Sequence, residues 1–384
     1  MDLEMTAEQR QLQRLVRDFA EGEIRPAIRE LDAKEEFSYA LTSKMGDLGF
    51  MGLMVDPEHG GLGLDPLSYI LVVEGLARVS ASQAATVAAH NTLGVGPIAR
   101  WGSKQQRERY LPDLCAGKKL WGFGLTEAES GSDAGDSRTV AELRNGLWIL
   151  NGAKAFITNA ATNITAGSTV QCATGVSSGG KKEISCVLVP QGVPGFTVRT
   201  MHGKMVWRSS NTAELFLDNV RVPEENLLGK RGDGFRQMLE TLDSGRLGIA
   251  AMALGGAQGA YEEGLKYAKT RKAFGQTVAS FQANAFKLAD CATQIEAARS
   301  LLYRACWLKS TGQSFAKESA MAKLFCSQVF KLVADHALQL HGGYGCMEEY
   351  PVATFYRDAK FLEIGEGTSE IQRLVIARQI GCFE

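Results

Sequence analysis

Glu366 lies between Gly365 and Gly367, directly ahead of Thr368-Ser369-Glu370-Ile371-Gln372. Glycines on both sides permit backbone angles and close approach that a side chain forbids. Ser369 with Gln372 three residues later reads as a capping box opening a final helix. Glu366 then sits at the positive end of that helix, where the dipole favours an ionised carboxylate. The unpaired first-turn N–H groups can hydrogen-bond an oxygen that becomes negative as the neighbouring carbon loses a proton. Base and oxyanion donor would share one turn. A surface Gly-Glu-Gly loop before an ordinary helix is the alternative from these residues alone, since cap signals mark helix starts rather than chemistry.

The other reactive side chains form no competing centre. Cys115, Cys172, Cys186, Cys291, Cys306, Cys326, Cys346 and Cys382 are scattered with no Cys-x-x-Cys spacing. That argues against a disulfide framework or structural zinc and for small core residues. His59, His90, His202, His336 and His341 make no His-Glu-x-x-His pattern, and no metal site is expected. No Gly-x-Gly-x-x-Gly joins a strand to a helix and there is no Walker loop, so neither a Rossmann-held NAD nor a P-loop nucleotide is expected. Lys plus Arg number 42 against 43 for Asp plus Glu, a net charge of −1, which gives no whole-protein pull toward nucleic acid or an anionic membrane. No apolar run is long enough to span a bilayer, so no membrane insertion is expected. Met1-Asp2-Leu3-Glu4-Met5-Thr6 lacks the basic start and apolar core of a signal peptide, and the expected location is the cytoplasm, or an organelle matrix if a leader was removed.

The elements that must carry Glu366 follow from periodicity. A chain of 384 residues is long for one core and implies two or three domains. Thr6 with Gln9 makes a capping box, and Leu12, Leu15, Val16, Phe19 and Ala20 follow at helical spacing, so residues 1–120 read as a helical domain. Pro57-Glu58-His59-Gly60-Gly61-Leu62-Gly63 interrupts it as a turn. Over 121–230 the period changes. Asn145-Gly146 and Asn151-Gly152 are hairpin signals beside Val140-Ala141-Glu142-Leu143 and Leu147-Trp148-Ile149-Leu150, and Ile184 to Val189 and Glu214 to Leu217 are further strands, giving a middle β domain. Over 231–384 the helical period returns in runs near 234–272, 280–312, 316–340, 350–361 and 369–380, with short Gly-bearing connections that imply an antiparallel bundle.

Phe355-Tyr356-Arg357-Asp358-Ala359, followed by Glu366-Gly367-Thr368-Ser369 and Ile371-Gln372, resembles the acyl-CoA dehydrogenase family. Its short- and medium-chain members carry an aromatic-Arg-Asp-Ala segment, then Tyr-Glu-Gly-Thr-Ser and Ile-Gln. The likeness covers nearly the whole chain, with separate motifs in order. It implies a mainly α fold with a β domain: an N-terminal helical domain, a middle β-barrel-like domain and a C-terminal helical bundle. It also implies that Glu366 removes the α proton of an acyl-CoA thioester while the β hydride passes to FAD, leaving a trans-2-enoyl-CoA. The thioester oxygen would be held by the Glu366 N–H and a flavin ribityl hydroxyl. Side chains offer no hydride acceptor, so a cofactor is required.

The resemblance also places the ligands. Phe123-Gly124-Leu125-Thr126-Glu127-Ala128-Glu129-Ser130-Gly131-Ser132-Asp133 is similar to the family's Thr-Glu-Pro-x-x-Gly-Ser-Asp signature, with Ala128 for the usual Pro. Phe123, Leu125 and Thr126 would contact flavin and Ser132 would lie by flavin and acyl-CoA. Lys154 to Asn159 resembles the strand behind the isoalloxazine, bringing Phe156 and Thr158. Arg271, Phe274 and Gln282 match elements that reach the diphosphate and adenosine of FAD on a neighbouring subunit, and Gln339, Gly342 and Gly343 match a Gln-x-x-Gly-Gly phosphate element. Thr368 and Glu370 complete the FAD contacts. Asp243 and Arg246 would hold CoA, although without the resemblance Arg246 reads as a solvated helix charge. Gly367 would complete the substrate contacts.

Gly245 stands about where the isovaleryl and long-chain branches place their base, which assigns this chain to branches with the base in the C-terminal segment. FAD built from two chains implies a homo-oligomer, in this family usually a tetramer, and an electron-transfer flavoprotein as electron acceptor. Gly365, where relatives often have Tyr, is expected to open the pocket wall to a branched, cyclic or aromatic acyl group. Oxidase, flavin monooxygenase and desulfinase siblings stay open as alternatives. So do a decarboxylating dehydrogenase, for which no distal cation is located, and a non-enzymatic acyl-CoA-binding protein.

Overall fold

The computed structural model describes residues 5–176 and 179–383. Residues 1–4, part of the segment that carried the no-leader expectation, lie outside that range. The Thr6–Gln9 capping box forms and opens α1 (Ala7–Phe19). Then come α2 (Arg25–Lys34), α3 (Tyr39–Asp47), α4 (Pro66–Ala77), α5 (Ala81–Ala89), α6 (Gly96–Trp101) and α7 (Lys104–Cys115). Single π-helical turns, Ala20–Ile24 and His90–Val95, extend α1 and α5, a feature periodicity does not reveal. Pro57–Gly63 is the expected turn, a 3₁₀ piece followed by left-handed glycines.

The middle of the chain forms β1 (Leu120–Gly124), β2 (Val140–Arg144), β3 (Leu147–Thr158), β4 (Thr165–Val176), β5 (Lys182–Pro190), β6 (Phe196–Thr200) and β7 (Thr212–Pro223). They make one curled seven-stranded sheet in the order β1-β4-β2-β3-β7-β6, with β5 paired to β4. Asn145 and Gly146, both at positive φ, close the β2–β3 hairpin as a two-residue turn requires. Asn151-Gly152 does not turn the chain. It lies inside β3, where Gly152 adopts φ 146° and the register against β7 slips between Leu150 and Gly152. The same dipeptide therefore makes a bulge, because β3 already has β7 as its partner across it.

After Gly232 the bundle comprises α8 (Gly234–Thr270), the small hairpin β8 (Lys272–Ala273) and β9 (Gln276–Thr277), α9 (Gln282–Ser310), α10 (Ala316–His341), α11 (Pro351–Ala359) and α12 (Ser369–Gln379). Its core is continuous with the first helices: Val72, Val73 and Leu76 of α4 share one buried cluster with Ala250, Leu254 and Ala257 of α8 and Phe330 of α10. Small residues on α8 permit this approach. A methyl on Gly255 would overlap the Glu74 carbonyl, so the backbones of α4 and α8 nearly touch there. Six of the cysteines are buried and Cys346 and Cys382 are exposed.

Candidate active site

Glu366 sits on a short loop between a 3₁₀ turn at Phe361–Glu363 and α12. Its φ is +53°, a left-handed conformation that a non-glycine residue adopts at a cost of about 1–2 kcal/mol. The loop is fastened against α10 and α12. Ser327 Oγ donates to Leu362 O at 2.8 Å, Lys323 Nζ to Gly367 O at 2.7 Å, and Gln372 Nε2 to Gly367 O at 2.8 Å and Glu366 O at 3.3 Å. The helix cap is Thr368, whose Oγ1 accepts from Ile371 N, and Ser369 is already helical. The expected Ser369–Gln372 capping box is therefore absent: Gln372 turns its amide back to the Glu366 and Gly367 carbonyls instead of accepting from a cap N–H.

The carboxylate of Glu366 lies against the bare backbone of α8. A Cβ added to Gly245 would overlap Glu366 Oε2, and that oxygen is shielded with no hydrogen-bond partner. Burial pushes the carboxyl up to about 7, against the opposing charges of Lys323 and Arg246. The dipole of α12 was expected to keep Glu366 readily ionised. Desolvation outweighs it, because a charge withdrawn from water loses more than the first turn of a helix returns. The Glu366 N–H makes no hydrogen bond among the described residues.

Glu366, Gly367 and Thr368 line a cavity of about 420 Å³. The sheet contributes Phe123, Phe156 and Thr158, the loop after β1 contributes Leu125, Thr126 and Ser132, and the bundle contributes Arg246, Ile249 and Met252. Phe156 is displayed by a break in the β3–β7 register between Lys154 and Ile157, with φ +62° and 59% of its surface exposed. The loop carrying Thr126 and Ser132 is tied down by an ion pair that the sequence reading missed. Lys154 Nζ, fully buried, reaches Glu127 Oε1 at 2.6 Å. Glu127 also accepts from Ser137 Oγ and the N–H groups of Arg138 and Thr139. Burial pushes Glu127 up, but the Lys154 hydrogen bond and charge and those N–H groups outweigh it and hold the carboxyl at about 2.

Opposite Phe156, Trp207 packs edge-on against Phe361 at 4.4 Å. It is held by Asp358, which accepts from its N–H at 2.9 Å, and by Lys204, which donates to its carbonyl at 2.9 Å. Gly365 does not open the wall as expected. Its missing side chain would point at the Phe361 ring, 2.7 Å from Cε1, so Phe361 already fills that space. Arg246 is not a solvated charge either. It is 3% exposed and paired with Asp243, and beside them Lys309 Nζ donates to Ser244 Oγ at 3.0 Å.

The remaining candidates lie elsewhere on the chain. Arg271, Gln339, Gly342 and Gly343 meet at a second, open cavity of about 580 Å³, with Tyr267, His341 and Tyr344. Phe274, near it in sequence on the β8–β9 turn, is 96% exposed. Gln282 begins α9 and Glu370 lies in the first turn of α12, both exposed and lining neither cavity. The sequence reading also missed Lys323 and Phe361. Lys323 had a signal: a lone charge in Ser319-Ala320-Met321-Ala322-Lys323-Leu324-Phe325, on the stripe that the helix buries.

The first cavity fits a flat heteroaromatic ring. It offers the outturned Phe156 ring, the Thr126 and Thr158 hydroxyls and an apolar floor beside an unpartnered carboxylate oxygen. Comparison with known proteins agrees. The acyl-CoA dehydrogenase N-terminal, middle and C-terminal domains match residues 6–118, 122–220 and 232–381. A probable acyl-CoA dehydrogenase of Bacillus subtilis is 46% identical over 380 residues, covering 99% of this chain and 100% of that relative. A short-chain specific acyl-CoA dehydrogenase of Clostridium acetobutylicum is 42% identical over 380 residues, covering 99% and 100%. Among solved structures, butyryl-CoA dehydrogenase from Megasphaera elsdenii superposes with a TM-score of 0.95 at 40% identity, covering 99% of this chain and 100% of that one. A chain from work on the electron transferring flavoprotein of Acidaminococcus fermentans does so with 0.95 at 41%, with the same coverage. With all three domains matched and full-length relatives well above 30% identity, the chain belongs to the acyl-CoA dehydrogenase family and is an FAD-dependent oxidoreductase.

Proposed function

We propose that this enzyme α,β-dehydrogenates a short-chain acyl-CoA thioester, with Glu366 taking the α proton. The observation that carries the reading is the unpartnered Oε2 of Glu366 at the wall of the 420 Å³ cavity, on a group poised near neutrality at about 7. A base with that pKa is half ionised at physiological pH and becomes strong enough to accept a proton from an acidified carbon. Its own unpaired N–H stands ready to hold the thioester oxygen as negative charge develops. FAD, when bound, supplies the two-electron acceptor that side chains lack. Phe123, Leu125, Thr126, Phe156, Thr158 and Thr368 are assigned to the flavin end, Ser132 to flavin and acyl-CoA, and Asp243, Arg246 and Gly367 to the thioester and CoA. Short acyl groups are supported by the short-chain and butyryl-CoA relatives and by Phe361 standing where Gly365 left room.

The second cavity, lined by Arg271, Gln339, Gly342 and Gly343, is assigned with Phe274 and Gln282 outside it to the nucleotide half of FAD bound mainly by another subunit, with Glu370 closing the remaining contacts. A homo-oligomer, a tetramer by resemblance, is supported by this second cavity, which shares no lining residue with the first and would serve a flavin held by a neighbouring subunit. Residues 1–120, 121–230 and 231–384 are assigned as the three domains. An electron-transfer flavoprotein is the proposed acceptor, supported by the Acidaminococcus fermentans structure, and the cytoplasm or an organelle matrix the proposed location. Glu366→Gln tests the core of the reading. It should purify yellow and bind butyryl-CoA while anaerobic flavin bleaching slows by about 10²–10⁴-fold. A variant that bleaches within about threefold of the parent rate would remove Glu366 as the base.

A further inference from the structure

Behind the Glu366 turn lies a cation that joins no ion pair among the described residues. Lys323 of α10 is 0% exposed, and its ammonium makes one hydrogen bond among the described residues, to the Gly367 carbonyl at 2.7 Å. It joins no ion pair there, whereas Arg246, the other cation near Glu366, is already matched by Asp243. A buried, unpaired charge is a poor way to fasten a loop, because desolvation works against it. Gln372 already donates to the same carbonyl at 2.8 Å with a neutral amide. A neutral residue of similar length would fill the space on α10. The charge itself is what remains to be explained, and Glu366 is the foremost acidic group acting on it.

We infer that Lys323 is a positioning residue for the dehydrogenation: it pins the Gly367 carbonyl from behind, and its uncompensated positive charge keeps the Glu366 carboxylate ionised when a thioester seals the cavity. This rests on Glu366 being the base. Expelling water strengthens the attraction between the two groups, so the lysine acts most when the base is most desolvated. Of the other groups facing this pair, Arg246 of α8 also favours the ionised Glu366 but already has Asp243 as its ion-pair partner, Tyr69 of α4 is a buried neutral phenol, Glu363 is held by Lys360 and Lys331, and Glu370 of α12 is exposed. Burial brings the Lys323 ammonium down to about 8, above Glu366 at about 7, so the lysine is mostly charged as the carboxyl loses its proton.

The test is the pH profile of kcat for butyryl-CoA, which reports groups in the enzyme–substrate complex, measured with FAD-loaded Lys323→Met, Lys323→Gln, Gln372→Leu and the parent enzyme. For both Lys323 variants the midpoint of the rising limb should move up by about one pH unit or more. Activity near pH 7 should fall about tenfold and return above pH 9. Gln372→Leu loosens the same carbonyl without changing charge and should keep the parent midpoint. A parent-like midpoint in Lys323→Met, or an equal shift in Gln372→Leu, overturns the inference. If the neutral variants do not fold, Lys323→Arg must hold the parent midpoint, and a shifted midpoint there overturns it too. Glu366→Gln separates the two levels: turnover retained in that variant sinks the base assignment, whereas its loss beside an unmoved Lys323→Met midpoint sinks the lysine alone.

Discussion

Gly245→Ala should raise or preserve stability while removing most activity, and the two signs together make it a sharp test. Position 245 is inside α8, where alanine is favoured over glycine by about 0.5–1 kcal/mol through backbone entropy and helix propensity. The added methyl has one unfavourable neighbour, the Glu366 carboxylate, whose Oε2 it would overlap and whose carbon would be 2.8 Å away. Glu366 stands on a loop, so the side chain yields before the helix does and must withdraw by on the order of 1 Å, a misplacement that costs about 10²-fold in rate. Anaerobic stopped-flow bleaching with butyryl-CoA measures the rate, and thermal unfolding of the holoenzyme measures the stability. A bleaching rate within about threefold of the parent would refute the geometry. So would a large loss of Tm, which would mean that the methyl strains α8 rather than moving the base.

Two further outcomes follow from buried charge. A carboxyl raised from 4.5 to about 7 favours folding while protonated and loses that advantage as pH rises through about 7. Glu366→Gln should therefore unfold at a higher temperature than the parent near pH 8, by about 1–2 kcal/mol after allowing for partial solvent contact, and differ little near pH 5; calorimetry at both pH values checks it, and an equal gain at both would contradict the linkage. Lys154→Met leaves Glu127 buried without its cation, which should cost about 3–5 kcal/mol and release FAD more readily on dilution; urea unfolding with an unchanged midpoint would show that the N–H donors suffice.

Glu366 stood out because its neighbours are unusual, two glycines and a cap within a few residues, and the family resemblance, rather than those neighbours, gave it its proposed role. The long bundle helices were legible from periodicity alone. What escaped was set by contacts distant in sequence. β4, with Thr165, Ser168, Thr169, Gln171 and Thr174, lacks an apolar strand pattern. It is nevertheless a buried strand because β1 and β5 pair with its backbone, and some of its polar side chains find partners, as Thr169 does with Trp121 Nε1 at 2.9 Å and Gln171 with Ala134 O at 3.0 Å. The capping box failed by one residue because Gln372 had better acceptors in the turn above it. Arg246 looked solvated because its burial depends on Asp243 and the packing around α8. Phe361 lies only four residues before Gly365, yet nothing local says that its ring folds back over the glycine. Lys323 alone carried a readable anomaly, a cation on an apolar stripe.

The interlock between residues 245 and 366 also bears on how such sites diverge. One small volume beside α8 accepts either a side chain from the helix or a carboxylate from the loop, never both. Moving a proton acceptor from the loop to the helix would therefore demand two coordinated replacements. Each replacement made first would leave either no carboxylate at this place or two side chains contending for one space, so positions 245 and 366 are bound to change together.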